Sequence, residues 1–163
     1  MNSFLSEKVV TSLGSGAVAD TTSETTTAVE DMQGFDGIRW IVSFGDVDAS
    51  AVLTLQPKEN SASSTSSPTP TAIDVSNATL GGTVTPVITT GAVVITEASG
   101  NLDNKTVIVD VQGAVFSKRY AFLSITATTE SYEIVSIITE RYKARDLVTS
   151  VDGDVVTQAY AGK

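Results

Sequence analysis

Cysteine and histidine are both absent from this 163-residue chain. Without cysteine there is no disulfide, no thiolate metal site and no thiol nucleophile. Without histidine the commonest general base and the commonest neutral metal ligand are missing, so neither a Ser-His-Asp nor a Cys-His arrangement can be built. The missing cysteine leaves the compartment open, because a reducing cytoplasm and a disulfide-free virion or cell surface fit it equally. Aromatic residues make up 6% of the chain, with a single tryptophan, which is sparse for a sugar-binding cleft. No apolar run approaches the ~20 residues that span a bilayer. The opening Met1 to Lys8 lacks the basic and apolar regions of a signal peptide. These absences predict a protein that is not an enzyme, carries no cofactor and no metal, and works away from membranes.

What is present points to β structure. The chain is 41% hydrophobic, and those residues are mostly Val, Ile and Ala, with Thr and Ser filling most polar positions. β-branched side chains fit a pleated surface better than a helix, where the preceding turn restricts χ1. A domain near this size buries roughly 70% of the surface its unfolded chain exposes, so it needs no covalent staple. The net charge of −9 repels phosphate backbones and anionic membranes alike, so nucleic acid is not an expected partner.

Period-two alternation supplies the organisation. Ile38, Trp40, Val42 and Phe44 fall on one face of a run that opens after the turn signal Gly34-Phe35-Asp36-Gly37, which marks a strand with one buried face and places Trp40 in the core. After a turn at Gly45-Asp46, Ala51 to Gln56 alternates again and reads as its antiparallel partner, ended by Pro57, which has no amide to donate. Further strands are expected at 84–88, 92–96, 106–111, 120–127 and 132–140, separated by Thr89-Thr90-Gly91, Ser99-Gly100-Asn101 and Gly113. No capped 3.6-residue periodicity appears, so no substantial helix is predicted. The fold class is therefore all-β, an antiparallel β-sandwich or jelly-roll-like barrel. Residues 1–34 are read as an extended N-terminal arm, contributing one or two strands or forming a tail. Residues 35–142 form the sandwich, with an exposed Ser/Thr/Pro-rich loop at 58–72. Residues 143–163 are read as a C-terminal hairpin or arm, on the strength of Asp152-Gly153 between valines.

Candidate chemistry is thin. Asp152, Asp154 and Asp146 lack the spacing of a calcium loop, and a tight turn accounts for Asp-Gly without an ion. Glu130, Glu133 and Glu140 are the carboxylates nearest to an acid–base pair, but they read as solvated strand and loop acids. Ser117-Lys118 offers adjacency without a pocket. Gly14-Ser15-Gly16 lacks the Lys-Ser/Thr of a phosphate loop. Asn77-Ala78-Thr79 and Asn104-Lys105-Thr106 match the glycosylation pattern by chance. No catalytic, cofactor-binding or metal-binding residue is assigned.

Charge is segregated. Glu7, Asp20, Glu24, Glu30, Asp31 and Asp36 load the N-terminal arm against Lys8, while Lys118, Arg119, Arg141, Lys143 and Arg145 gather late in the chain beside Tyr120 and Tyr142. Interleaved Glu130, Glu133 and Glu140 argue against a nucleic-acid groove. The basic cluster is expected to pair with an acidic arm, its own or a neighbour's.

The stretch from Thr27 through Glu30-Asp31-Met32-Gln33-Gly34-Phe35-Asp36-Gly37 to Phe44-Gly45 resembles a small family of tailed-bacteriophage head proteins. In that family an acidic-Met-x-Gly-aromatic-x-Gly turn leads into the first long strand. Lys118-Arg119-Tyr120 is similar to the family's opening of its penultimate strand. The resemblance covers residues 27–57 and 118–140 and departs from the pattern in the Ser-rich loop and after Tyr142. It implies a virion structural protein, a capsid decoration or cement protein made in the host cytoplasm and placed on the capsid surface. Its implied partners are the major capsid protein and further copies of itself, a trimer suiting local three-fold positions. Alternatives are a tail, fibre or shell subunit, and a carbohydrate-binding β-sandwich for host attachment.

Overall fold

Thirteen strands form in chain order in the computed structural model, which describes residues 10–15, 17–80, 87–89, 91–97, 102–112, 116–128 and 130–144. They are β1 (Val10–Ser15), β2 (Val18–Thr21), β3 (Thr25–Thr26), β4 (Glu30–Asp31), β5 (Phe35–Val47), β6 (Val52–Asn60) and β7 (Thr71–Ala72). They continue with β8 (Asn77–Leu80), β9 (Val87–Thr89), β10 (Ala92–Thr96), β11 (Thr106–Gln112), β12 (Tyr120–Thr128) and β13 (Tyr132–Ala144). Among the described residues there is no helix.

Two antiparallel sheets pack face to face as a β-sandwich. One runs β1-β13-β5-β11-β8, with β2 also on β13. The other runs β3-β12-β6-β10-β9, with β4 also on β12 and β7 on β6. From β5 onward the chain crosses repeatedly between the sheets, with only β6–β7 and β9–β10 following one another in the same sheet. The segment joining β5 to β6 is accordingly an arch across the sandwich rather than a hairpin, and β6 is not the partner of β5. β5 pairs with β13 and β11, whereas β6 pairs with β12 and β10. Alternation in sequence reports which face is buried, and Trp40 and Leu55 both face the core although they come from opposite sheets. The turn also falls later than Gly45-Asp46. β5 runs on to Val47, the Ala51 amide closes on the Asp48 carbonyl at 3.0 Å, and Ser50 takes the positive φ of 75°.

Between the sheets Ile38, Trp40, Val42 and Phe44 meet Leu53, Leu55, Val93, Ile95, Leu123 and Ile125, all at most 1% exposed. Trp40 is core, as its alternation predicts. The Phe44 and Tyr132 rings meet edge to face at 6.5 Å.

Pro57 does not end its strand. It sits opposite Leu123, whose amide and carbonyl both turn away from β6 towards Thr27. On its other side β10 pairing has stopped at Leu55 and β7 pairing starts at Lys58, and only the Pro57 carbonyl is used, accepting from Ile73 at 3.0 Å. The missing amide falls where the ladder asks for none. β6 therefore continues through Glu59 and Asn60, both buried, and the Ser-rich loop opens only at Ser61. Asn60 organises it: its side-chain amide donates to the Ser64 and Pro68 carbonyls at 2.8 Å each, and its Oδ1 accepts from Ala62. The loop is exposed, as its composition predicts, but one buried asparagine holds its backbone.

Residues 18–31 lie along the sandwich as a strap. β1 and β2 border β13 in one sheet, the chain crosses at Ser23, and β3 and β4 border β12 in the other. The Tyr132 hydroxyl holds this crossing, within 2.8 Å of the Ser23 carbonyl and 3.0 Å of Thr25 Oγ1 and the Ile125 carbonyl. Burial of that phenol pushes its pKa up, so it stays a neutral donor.

Candidate contact pole

Two segments far apart in sequence converge at one end of the sandwich. β4 pairs with β12, setting Asp31 opposite Tyr120 and Glu30 opposite Ala121, and the Met32 amide donates to the Arg119 carbonyl at 2.7 Å. The turn from Met32 to Phe35 closes with Phe35 N donating to Met32 O at 3.0 Å, with Gly34 at φ 83°, where a β-carbon would be strained. These are the segments that carry the Met32 to Gly45 and Lys118-Arg119-Tyr120 motifs, and the fold makes them one surface.

Charge pairing ties that surface together. Arg119 grips Asp31 through Nε and Nη2, the shortest contact being 2.6 Å, and its guanidinium stacks 5.3 Å from the Tyr120 ring. The Arg119 hydrogen bonds hold the Asp31 carboxyl below the usual carboxylate range. Arg141 donates from Nη1 to the Asp31 carbonyl at 2.6 Å and lies over the Phe35 ring at 4.9 Å. Its Nε is 3.2 Å from Glu30 Oε2, an ion pair whose N–H is not aimed for a hydrogen bond. Further along the strap Glu24 accepts from Lys58 at 3.0 Å and from Ser124, which lower its pKa, the Ser124 bond most. The late basic cluster and the acidic arm thus pair within one chain at Asp31–Arg119 and Glu30–Arg141.

Glu59, which the sequence reading placed in a loop, is the buried anchor of the opposite wall. Only 2% exposed, its carboxylate accepts the Ser117 and Lys118 amides at 2.8 and 3.0 Å and the Ser117 hydroxyl. Met32, Gln33, Gly34 and Phe35 on one side and Phe116, Ser117, Lys118 and Arg119 on the other enclose an open cavity of about 470 Å³. Its walls mix three apolar side chains with two cations, a lining suited to protein contact.

A second network covers the outer face of the same end. Tyr142 lies over Gly37, where a β-carbon would collide with its ring, and its hydroxyl donates to Asp110. Arg39 donates to the same carboxylate from Nε at 3.2 Å and Nη2 at 2.8 Å, stacks 5.5 Å from the Tyr142 ring and lies 3.7 Å from Glu140. Burial first, then the bond to Asp110, raises the Tyr142 pKa far above the ordinary phenol value.

The remaining sequence candidates are scattered. Ser117 turns to Glu59 while Lys118 Nζ donates to Thr71 Oγ1, so the two do not act together. Glu133 lies over Gly45 and accepts from the Asp46 amide at 3.2 Å, seven residues along β13 from Glu140; Glu130 is at the Glu133 end. At that far end Asp48 and Asp103 accept hydrogen bonds from Ser131 and Val47. Asn77 and Thr79 are exposed on edge strand β8, and Asn104 occupies a turn at φ 55°. Gly14 and Ser15 belong to β1, and Lys143 to β13. Glu7, Lys8, Gly16, Arg145, Asp146, Asp152 and Asp154 lie outside the described residues. Among the described residues no group of three acids could hold a metal ion.

Fold and pole together define a two-sheet antiparallel β-sandwich with a charge-stapled N-terminal strap. Compared with known protein families and with curated proteins, the chain matches none.

Proposed function

We propose that this chain is a virion structural protein, a decoration or cement protein that stabilises a bacteriophage head through many non-covalent contacts. The observation that carries the reading is the convergence at the pole: the two motifs that resemble phage head proteins pair through β4 and β12 and share the Asp31–Arg119 staple. A rigid body with an exposed mixed cavity suits repeated weak contacts, which gain strength by multivalent display. The major capsid protein is the partner in this reading, and the capsid surface the location. The carbohydrate-binding alternative loses its best anchor, because Trp40 is fully buried.

The test is quantitative mass spectrometry of purified particles of the virus that encodes the chain. A decoration protein is present at a copy number comparable with that of the principal shell protein. A handful of copies per particle assigns it to the tail, and absence from the particle overturns the proposal.

A further inference from the structure

Antiparallel sheets that face water on one side alternate apolar-in with polar-out, and the outer face of the β13-β5-β11 sheet departs from this along one line. Ile138 on β13 pairs with Ile41 on β5, which pairs in turn with Ile108 on β11. The three share the solvent face, because Arg39, Ile41 and Ser43 alternate with the buried Trp40 and Val42. Ile138 remains 37% exposed, and the bulge beside it leaves Val135 51% exposed. In the backbone register Ile138 stands opposite Leu13 on β1 and Ile108 opposite Thr79 on β8, so the line spans the full width of the sheet.

The flanking rows differ from each other. Two residues along each strand on one side stand Glu140, Arg39 and Asp110, joined as described above. Two residues along on the other side stand Ser136, Ser43 and Thr106, with Ser43 and Thr106 hydroxyls 3.2 Å apart.

We propose that this face is the contact between two copies of the chain, related by a two-fold axis that runs along the isoleucine row. That operation lays isoleucine on isoleucine and reverses strand direction, so each charged row meets the partner's row of hydroxyls, which supply hydrogen bonds. A two-fold along the strands is rejected by charge: it would lay the half-exposed Arg39 over the Arg39 of the other copy and set two like rows face to face. Area is sufficient. At about 4.8 Å of width per strand and about 3.3 Å per residue, β1, β13, β5, β11 and β8, with 6, 13, 13, 7 and 4 residues, make a face of about 680 Å², within the roughly 600–1,000 Å² per partner of a stable interface. The pairing stands independently of the capsid reading, and it favours a two-fold assembly over the trimer expected from sequence.

Light scattering on the full chain at tens of micromolar should give twice the 16.9 kDa of one chain. Ile138→Lys, on a partly exposed side chain, should keep the circular dichroism spectrum and raise the dissociation constant at least about tenfold; Ile108→Thr, a milder change, should move it in the same direction. Ile88→Lys, on the far sheet, should leave it unchanged. The cysteine-free chain also permits a geometric check. Facing sheets lie about 10 Å apart, so Ile41→Cys should be bridged between copies by a bis-maleimide of that span, whereas Ser43→Cys, displaced along the strand from its symmetry mate, should not. A monomer, a trimer, or a dimer indifferent to Ile138→Lys overturns the proposal.

Discussion

Thr27→Val isolates the pin that holds the strap to the second sheet. The Thr27 amide donates to the Leu123 carbonyl and its Oγ1 accepts the Leu123 amide, each at 2.9 Å, in place of the regular ladder. Thr27 is 2% exposed and Leu123 is fully buried, so solvent does not reach the amide to replace the lost acceptor. Valine has nearly the same shape, so no cavity opens and the backbone bond to the Leu123 carbonyl survives. What is lost is the acceptor of the buried Leu123 amide, left unpaired at a penalty of about 2 kcal/mol, together with the hydroxyl's own donation to the Ala28 carbonyl at 3.1 Å. With a urea slope of about 2 kcal/mol per molar, the unfolding midpoint should fall by about 1 M. Thr27→Ser keeps the acceptor and removes one methyl, a loss of about 0.8 kcal/mol. Urea titration followed by Trp40 fluorescence compares the two variants, and hydrogen exchange reads the Leu123 amide directly. Equal stability of the two variants, or undiminished protection of that amide, would refute the assignment of the pin to the hydroxyl.

Thr139→Val should stabilise the domain by about 1 kcal/mol, because Thr139 Oγ1 is buried without a hydrogen-bond partner opposite Trp40, whose Nε1 also lacks one; calorimetry checks the rise in Tm. Gly37→Ala should cost about 1–3 kcal/mol by driving a methyl into the Tyr142 ring, and the same change made on a Tyr142→Ala background should cost less than half as much, which a double-mutant cycle in urea measures. Asp31 and Glu24 titrate below their ordinary values in the folded state, so the stability they contribute is complete above the unfolded carboxylate pKa and disappears as pH falls through the folded one. Urea midpoints should therefore drop on acidification below about pH 4, with a shallower fall in Asp31→Asn; an identical slope in that variant would contradict the Arg119–Asp31 staple.

The buried face of β5 is legible in the sequence because Ile38, Trp40, Val42 and Phe44 repeat every second residue, and period two is a property of one strand alone. Partnership is a property of two strands, and nothing in Ala51 to Gln56 records that it lies across the core from β5 instead of beside it. Proline reads as a strand end because its missing amide is local, while the gap between β10 and β7 that tolerates Pro57 is tertiary. At the pole, segregation of acids from bases was visible, but Asp31 and Arg119 are 88 residues apart and their pairing depends on β4 docking beside β12. Glu59 and Asn60 escaped because a polar pair before a serine run looks like solvent, and only the burial of their side chains shows that they hold a wall and a loop.

The antiparallel union of β1 with β13 has a mechanical consequence. Val10 pairs with Arg141, close to the strand end at Ala144, so β1 begins and β13 ends at the same pole. A load drawn between them reaches the hydrogen bonds of β1 one pair at a time and opens that edge as a zipper, each bond offering only about 1 kcal/mol of net resistance. β13 is still clamped along β5 from Tyr132 to Ala144 once β1 has peeled away. The molecule therefore divides into a sacrificial edge that yields under small forces and a body whose central ladder is loaded only afterwards.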